Sequence, residues 1–129
     1  MNSTPLLKVS GINKTFINRV GLFRRKPAQV LKDVSFTLEQ GETLALVGET
    51  GSGKSTLAKI LAGVVPPTAG EIEVNGEVIA FEDTQKRCKL IRMIFQDPNS
   101  SLNPQLRVGR ILEAPLRLNT DLTEEERAN

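Results

Sequence analysis

Hydrophobic and polar positions alternate through Val34-Ser35-Phe36-Thr37-Leu38, the period of two expected of a half-buried strand. Leu6-Leu7-Lys8-Val9-Ser10 reads as an earlier short strand ended by Gly11, with Lys14-Thr15-Phe16 following in a loop. Between these two strands, Asn18 to Gln29 is polar and basic and contains Gly21 and Pro27, so it is expected to be an exposed excursion despite Leu22 and Phe23. Leu44-Ala45-Leu46-Val47 is an unbroken apolar run of strand length, and Leu57, Ile60, Leu61 and Val64 recur at the spacing of one helix face. Gly63 and Pro66-Pro67 stop that helix.

Further on, Ile72 and Val74, then Asn75-Gly76, then Val78 predict a hairpin, because Asn-Gly accepts the positive φ angles of a type I′ turn. Phe81 to Leu90 is charged and yields no clear assignment, whereas Ile91-Arg92-Met93-Ile94-Phe95 reads as another strand followed by the turn-rich loop Gln96 to Pro104. Val108, Ile111, Leu112 and Leu116 predict a helix kinked or ended near Pro115, and Thr123 with Glu126 has capping-box spacing. The resulting fold class is α/β, with antiparallel β structure around a parallel-type strand.

The chemistry concentrates between the apolar run and the first helix. Gly48-Glu49-Thr50-Gly51-Ser52-Gly53-Lys54-Ser55-Thr56 fits G-x-x-x-x-G-K-[ST], a phosphate-binding P-loop. Gly48, Gly51 and Gly53 remove side chains that would keep backbone N–H groups from a polyphosphate. Lys54 brings a mobile positive charge to the β- and γ-phosphates, and the Ser55 hydroxyl is the hard oxygen donor that Mg²⁺ prefers. The helix begins at the loop and turns its partial positive end toward the anion. Gln96 follows a strand directly and so falls where open α/β sheets gather ligands, although a loop amide also serves to satisfy backbone groups. Phe16 is a candidate for stacking on a flat ligand or for plain core packing.

At 129 residues the chain is one small domain or part of a larger one, and its apolar content of 39 % is that of a globular protein. A single cysteine, Cys88, excludes an internal disulfide and reads as structural or incidental, and Met1 to Pro5 leads into no signal core, so a cytoplasmic setting is expected. No apolar run reaches the roughly 18 residues of a membrane span. Net charge is only +2, but Met1 to Lys32 holds seven Lys or Arg and no acid. That asymmetry fits a solvated loop face or attraction to the anionic phosphates of nucleotide or lipid. With 5 Phe and no Tyr or Trp, few rings are available to stack bases, so no nucleic-acid partner is expected.

Taken with its flanks, Gly41 to Leu57 resembles the Walker A region of ABC-transporter ATP-binding subunits, and Pro67-Thr68-Ala69-Gly70-Glu71-Ile72 resembles the hairpin that comes after it there. Phe95 to Pro104 resembles the Q-loop of the dipeptide and oligopeptide import branch. Gly21-Leu22-Phe23-Arg24-Arg25 and Pro115 to Leu122 resemble subunits of antimicrobial-peptide uptake systems within it. The resemblance covers essentially the whole chain. It implies a partial P-loop NTPase fold with an antiparallel β subdomain beside the P-loop strand and helix. Residues 1–129 would then be the N-terminal part of one nucleotide-binding domain, with A-loop, Walker A and Q-loop present and signature, Walker B and H-loop absent.

The resemblance further implies ATP and Mg²⁺ as cofactors. Phe16 would stack on adenine, where the family more often has Tyr. Gly48, Glu49, Thr50, Gly51, Ser52, Gly53, Lys54, Ser55 and Thr56 would hold the phosphates. Ser55 and Gln96 would ligate the metal or order the attacking water, so that Lys54 and Gln96 would act in catalysis. Implied partners are transmembrane permease subunits, a second ATP-binding subunit and, indirectly, a periplasmic peptide-binding protein, at the cytoplasmic face of the inner membrane. The expected function is coupling ATP binding and hydrolysis to peptide transport. The alternative is a truncated nucleotide-binding or subunit-binding fragment without turnover, expected because phosphoryl transfer depends on charge stabilisation around the γ-phosphate that the absent motifs would supply. A small GTPase is disfavoured, since Asn13-Lys14-Thr15-Phe16 lacks the Asp that guanine recognition needs at the fourth position.

Overall fold

In the computed structural model, the first strand does not stop at Gly11. β1 runs Leu7–Val20 and pairs antiparallel with β2, Arg24–Leu38. Residues 4–20, 24–97 and 102–128 are described; Gly21-Leu22-Phe23 and Pro98-Asn99-Ser100-Ser101, which carry parts of the resemblance, lie outside the described residues. Gly11 (φ +60°) marks an irregularity in the register rather than an end, because glycine can take a left-handed conformation within a strand as a bulge. The Ser35 hydroxyl accepts from the Gly11 N–H at 2.8 Å. Asn13 Oδ1 accepts from the Asp33 N–H at 3.1 Å and from the Gln29 amide at 3.2 Å, so one side chain satisfies groups that the irregular ladder leaves out. Of the stretch expected to be an exposed excursion, Asn18, Arg19, Arg24 to Pro27 and Gln29 are exposed and Ala28 is half-buried, but they lie on β1 and β2 as the outer part of this hairpin, and Phe16 lies on a strand, not in a loop.

Helix α1, Lys54–Leu61, and strand β3, Ala69–Val74, complete the core. β3 pairs antiparallel with the inner part of β1, from Leu7 opposite Val74 to Asn13 opposite Ala69, and a two-residue β4, Glu77–Val78, closes the sheet in the order β2-β1-β3-β4. Val9 and Ile12 of β1, Leu31 of β2, Ile72 of β3 and Leu57 and Ile60 of α1 form one buried cluster, each of them at most 5 % exposed. The Asn75-Gly76 turn has positive φ at both residues (52° and 78°), as its sequence predicts. Gly63 (φ +78°) succeeds α1, and the Val64 N–H donates back to the Lys59 carbonyl at 2.8 Å, ending the helix where the sequence places its stop.

Two predicted strands are not formed. Leu44 to Val47 and Ile91 to Phe95 have no strand partner among the described residues, and no parallel pair exists among them. The expected P-loop strand is therefore an exposed segment outside the sheet, with Leu44 44 %, Leu46 45 % and Val47 90 % exposed. An apolar run supplies the propensity for a strand, but the ladder needs a neighbour to accept its hydrogen bonds. The segment from Phe81 to Leu90 resolves into helix α2, Thr84–Leu90, whose first turn is capped by Asp83 accepting from the Lys86 N–H at 3.1 Å.

The chain divides into two units, Met1–Met93 and Ile94–Asn129. In the second, α3 spans Val108–Asn119 and continues through Pro115 rather than ending there. α4, Glu124–Ala128, begins with the expected capping box: Glu126 Oε2 accepts from the Thr123 N–H at 2.8 Å, and the Glu126 N–H donates to Thr123 Oγ1 at 3.4 Å. The Thr123 backbone bond, followed by its hydroxyl, holds the Glu126 carboxyl below the usual glutamate range.

A Cβ on Gly70 (φ +96°) would stand 2.4 Å from the Gly11 carbonyl oxygen, so Gly70→Ala forces apart β1 and β3 and is expected to cost on the order of 3 kcal/mol. Urea midpoints of parent and variant measure this, and an unchanged midpoint contradicts the close approach. The depressed Glu126 pKa means that the cap's contribution is fully present above the unfolded-state pKa and is lost as pH falls through the folded one. Carbon-13 titration of the Glu126 carboxyl should show a midpoint below that of an unstructured glutamate, with α4 chemical shifts moving toward coil over the same interval; a midpoint at or above the ordinary value contradicts the cap.

Candidate functional site

The loop from Gly48 to Gly53 is held chiefly from its far end. Gly53 (φ +96°) is buried, and a Cβ there would lie 2.7 Å from Leu31 Cδ2 and 3.0 Å from the Val30 carbonyl. Only glycine allows the loop to press onto β2 at this point. The next residue opens α1, whose Leu57 and Ile60 are anchored in the core, and the Leu57 N–H donates to the Gly53 carbonyl at 2.9 Å. Because the first turn of α1 holds no acidic residue and Gly53 contributes no side-chain cap, the helix's positive end is left uncompensated.

Lys54 folds back across the loop. Its Nζ donates to the Gly48 carbonyl at 2.5 Å, the Glu49 carbonyl at 2.7 Å and Ser52 Oγ at 3.1 Å, which engages all three ammonium donors. The Ser52 N–H donates to the Glu49 carbonyl at 3.1 Å, closing a turn in the middle of the loop. A Cβ on Gly48 would meet Ser52 Oγ at 2.8 Å and would come within 3.7 Å of the Lys54 ammonium. The result is a small concave turn, one cation across it and glycines where a side chain would fill it: a cradle whose donors suit a polyphosphate. Glu49, Thr50, Gly51, Ser52 and Ser55 are exposed, and Thr56 is half-buried.

Phe16 sits on β1 opposite Ala28, two residues along β2 from Val30, whose carbonyl faces Gly53. It is 37 % exposed, and the Lys14 ammonium lies 5.0 Å from its ring centroid while donating to the Pro66 carbonyl at 2.6 Å. Gln96 is exposed in the second unit, and in the first the loop residues lie together ahead of α1 while Phe16 is placed only by its strand register on β1. Among the described residues no group of three or more His, Cys, Asp or Glu could hold a metal ion, and Cys88 is exposed and free.

Sequence reasoning missed Arg87. It lies in α2, is 2 % exposed, and donates to the Leu61 carbonyl at the end of α1 (3.2 Å) and to the Ile79 and Ala80 carbonyls after β4 (3.0 and 3.2 Å). Its cation thus meets the negative end of the P-loop helix and ties it to two other segments. Burial pushes the guanidinium pKa down from its ordinary value. A Cβ on Gly63 would stand 2.3 Å from Arg87 Cδ, so that glycine leaves room for the side chain to pass. The signal was a lone arginine in a charged stretch, indistinguishable by pattern from its exposed neighbours.

The family profile described as ABC transporter matches residues 31–128. The Putrescine export system ATP-binding protein SapF of Escherichia coli (strain K12) is 54 % identical over 122 residues, covering 95 % of this chain and 46 % of the relative. The Peptide transport system ATP-binding protein SapF of Shigella flexneri matches to the same extent. Among solved structures, the dimeric post-hydrolysis state of the ATP-binding cassette MJ0796 bound to ADP and Pi superposes with a TM-score of 0.69 at 28 % identity, over 95 % of this chain and 52 % of that one. The chain spans about half the length of the relatives it matches. With a glycine-rich loop and its lysine opening a core-anchored helix and a family match over three quarters of its residues, the chain belongs to the ABC transporter family, as part of its ATP-binding domain.

Proposed function

We propose that this chain is the nucleotide-binding portion of an ATP-binding subunit that couples ATP binding and hydrolysis to peptide transport across the inner membrane. The observation that carries the reading is the loop itself: Lys54 spans Gly48 to Ser52, and Gly53 presses against β2 where no other residue fits. Gly48 to Gly53 offer N–H donors to the phosphates, Thr56 supports the first turn of α1, and Lys54 exchanges a loop acceptor for a phosphate oxygen. The weakest of its three bonds, to Ser52 Oγ, is the first to give way. Ser55, exposed at the start of α1, supplies a hydroxyl for Mg²⁺, which when bound screens the charge of the phosphates.

Phe16 stacks on adenine, supported by its register position beside the β2 segment that backs the loop. By the resemblance, Gln96 would ligate Mg²⁺ or order the attacking water, and Lys54 and Gln96 would each act in phosphoryl transfer. Residues 1–129 carry A-loop, Walker A and Q-loop, and turnover needs the signature, Walker B and H-loop elements outside this sequence. The partners are transmembrane permease subunits, a second ATP-binding subunit and indirectly a periplasmic peptide-binding protein, with peripheral attachment at the cytoplasmic face. The described residues contain no helix long and apolar enough to cross a membrane. A second reading of the cargo is putrescine, favoured by the similarity to the putrescine export system protein of E. coli K12.

Calorimetric titration with Mg-ATP alongside a phosphate-release assay tests the proposal. Saturable binding is expected, reduced about tenfold to a hundredfold by Lys54→Ala, because a charge-assisted bond to phosphate is lost. Affinity unchanged in that variant overturns the P-loop assignment. Gln96→Ala should leave ATP affinity within about twofold and reduce the difference between Mg-bound and Mg-free nucleotide. An identical metal response in parent and variant removes Gln96 from the metal site.

A further inference from the structure

The outer part of the β1–β2 hairpin has no counterpart in the rest of the sheet. β3 pairs with β1 only as far as Asn13, so among the described residues Thr15–Val20 with Arg24–Gln29 is a two-stranded ribbon without a third strand. Such ribbons are marginal in water unless something covers them. This one carries Arg19, Arg24, Arg25 and Lys26, all exposed and none in an ion pair among the described residues. Arg19 stands directly opposite Arg25, a like-charge cross-strand pair that works against the hairpin it belongs to. The three remaining cations of the acid-free stretch up to Lys32 lie elsewhere: Lys8 is bridged to Glu73 at 2.7 Å, Lys14 is engaged by Pro66 and Phe16, and Lys32 stands exposed further along β2, outside the ribbon.

The register distributes the charge in a particular way. Arg19 and Arg25 share one face of the ribbon with Ile17 and Pro27, while Arg24 and Lys26 stand on the other with Asn18. A flat protein surface could neutralise only one of these faces. An anionic layer with depth, entered end-on, meets both, and a bilayer's headgroup region is such a layer. We infer that the outer end of this ribbon, Ile17–Val20 with Arg24–Pro27, beyond Phe16, is a membrane-docking finger that binds the headgroups of anionic phospholipids. The inference rests on the peripheral-membrane reading under Proposed function and adds the surface through which the chain itself meets the bilayer. The cations also blunt the sheet edge against strand addition, but one or two would do that, and two arginines facing each other are not needed for it.

Each Lys or Arg near an anionic surface adds about fivefold to partitioning, and the attraction decays within a Debye length. Co-sedimentation of the full chain with phosphatidylcholine vesicles and with vesicles carrying phosphatidylglycerol should show binding to the second only, lost at high salt. Arg24→Glu with Arg25→Glu should lower that binding by at least ~25-fold. The second substitution replaces the Arg19–Arg25 repulsion with an opposite-charge pair, so the hairpin is kept and a loss of binding reports charge rather than unfolding. Mg-ATP affinity in the same variant should stay within about twofold, and Lys54→Ala should leave vesicle binding unchanged, which separates lipid phosphate from the nucleotide site. Equal binding to neutral vesicles, no vesicle binding, or binding untouched by the double reversal overturns the inference. Failure of the finger with Mg-ATP binding intact leaves the functional reading standing; loss of Mg-ATP binding in the parent with vesicle binding intact does the reverse.

Discussion

The seating of one short helix on an antiparallel sheet is the constraint on which the rest of the first unit depends. α1 has only eight residues, too few to persist alone in water, so its helicity depends on Leu57 and Ile60 being buried among Val9, Ile12, Leu31 and Ile72. Burying two such side chains stabilises by roughly 3–6 kcal/mol, enough to fix the helix and with it the residue in front of it. That residue is Gly53, and its contact with Val30 and Leu31 places the phosphate loop against β2. Arg87 fastens the other end through the Leu61 carbonyl. The cradle is thus located by the helix on its C-terminal side, while the apolar segment in front of it stays without a strand partner.

This arrangement separates two kinds of surface. The inner sheet and α1 form a small dry core, whereas Leu46, Val47, Ile94 and Phe95 are exposed, and no strand among the described residues pairs with their backbone. Similar apolar runs therefore end differently: Ile72 and Val74 are buried because β1 lies alongside β3, and Leu44 to Val47 are not. Polar side chains do comparable work at the irregular joint near Gly11, where Ser35 and Asn13 replace missing ladder bonds and allow β1 to continue toward Phe16 and the basic ribbon.

What the sequence made legible was local. The glycine–lysine–serine spacing, the Asn-Gly turn and the Thr123–Glu126 box each specify geometry within a few residues, and each is found where its pattern lies. The antiparallel layer was legible through the alternation at Val34, Phe36 and Leu38. The outer ribbon was read only as an exposed excursion, since its residues carry no apolar period and its pairing is set by continuation from the inner hairpin. The strands expected at Leu44 to Val47 and Ile91 to Phe95 failed for the opposite reason: composition favours them, but pairing is a tertiary property. Of the two outcomes expected at Pro115 the ending is not found, since the helix passes through it, and Arg87 gave no signal because burial of a charge depends on carbonyls supplied by other segments.

Native-state hydrogen exchange on the full chain tests most directly the claim that the loop is held by its helix rather than by its strand. The Leu57 amide, bonded to the Gly53 carbonyl beneath the core, should be protected to the same degree as the Val9 and Ile72 amides of the sheet, while amides from Leu44 to Val47 exchange near the rate of an open chain. Protection of residues 44–47 equal to that of β1 and β3, or open exchange at Leu57 with the sheet intact, would contradict the account.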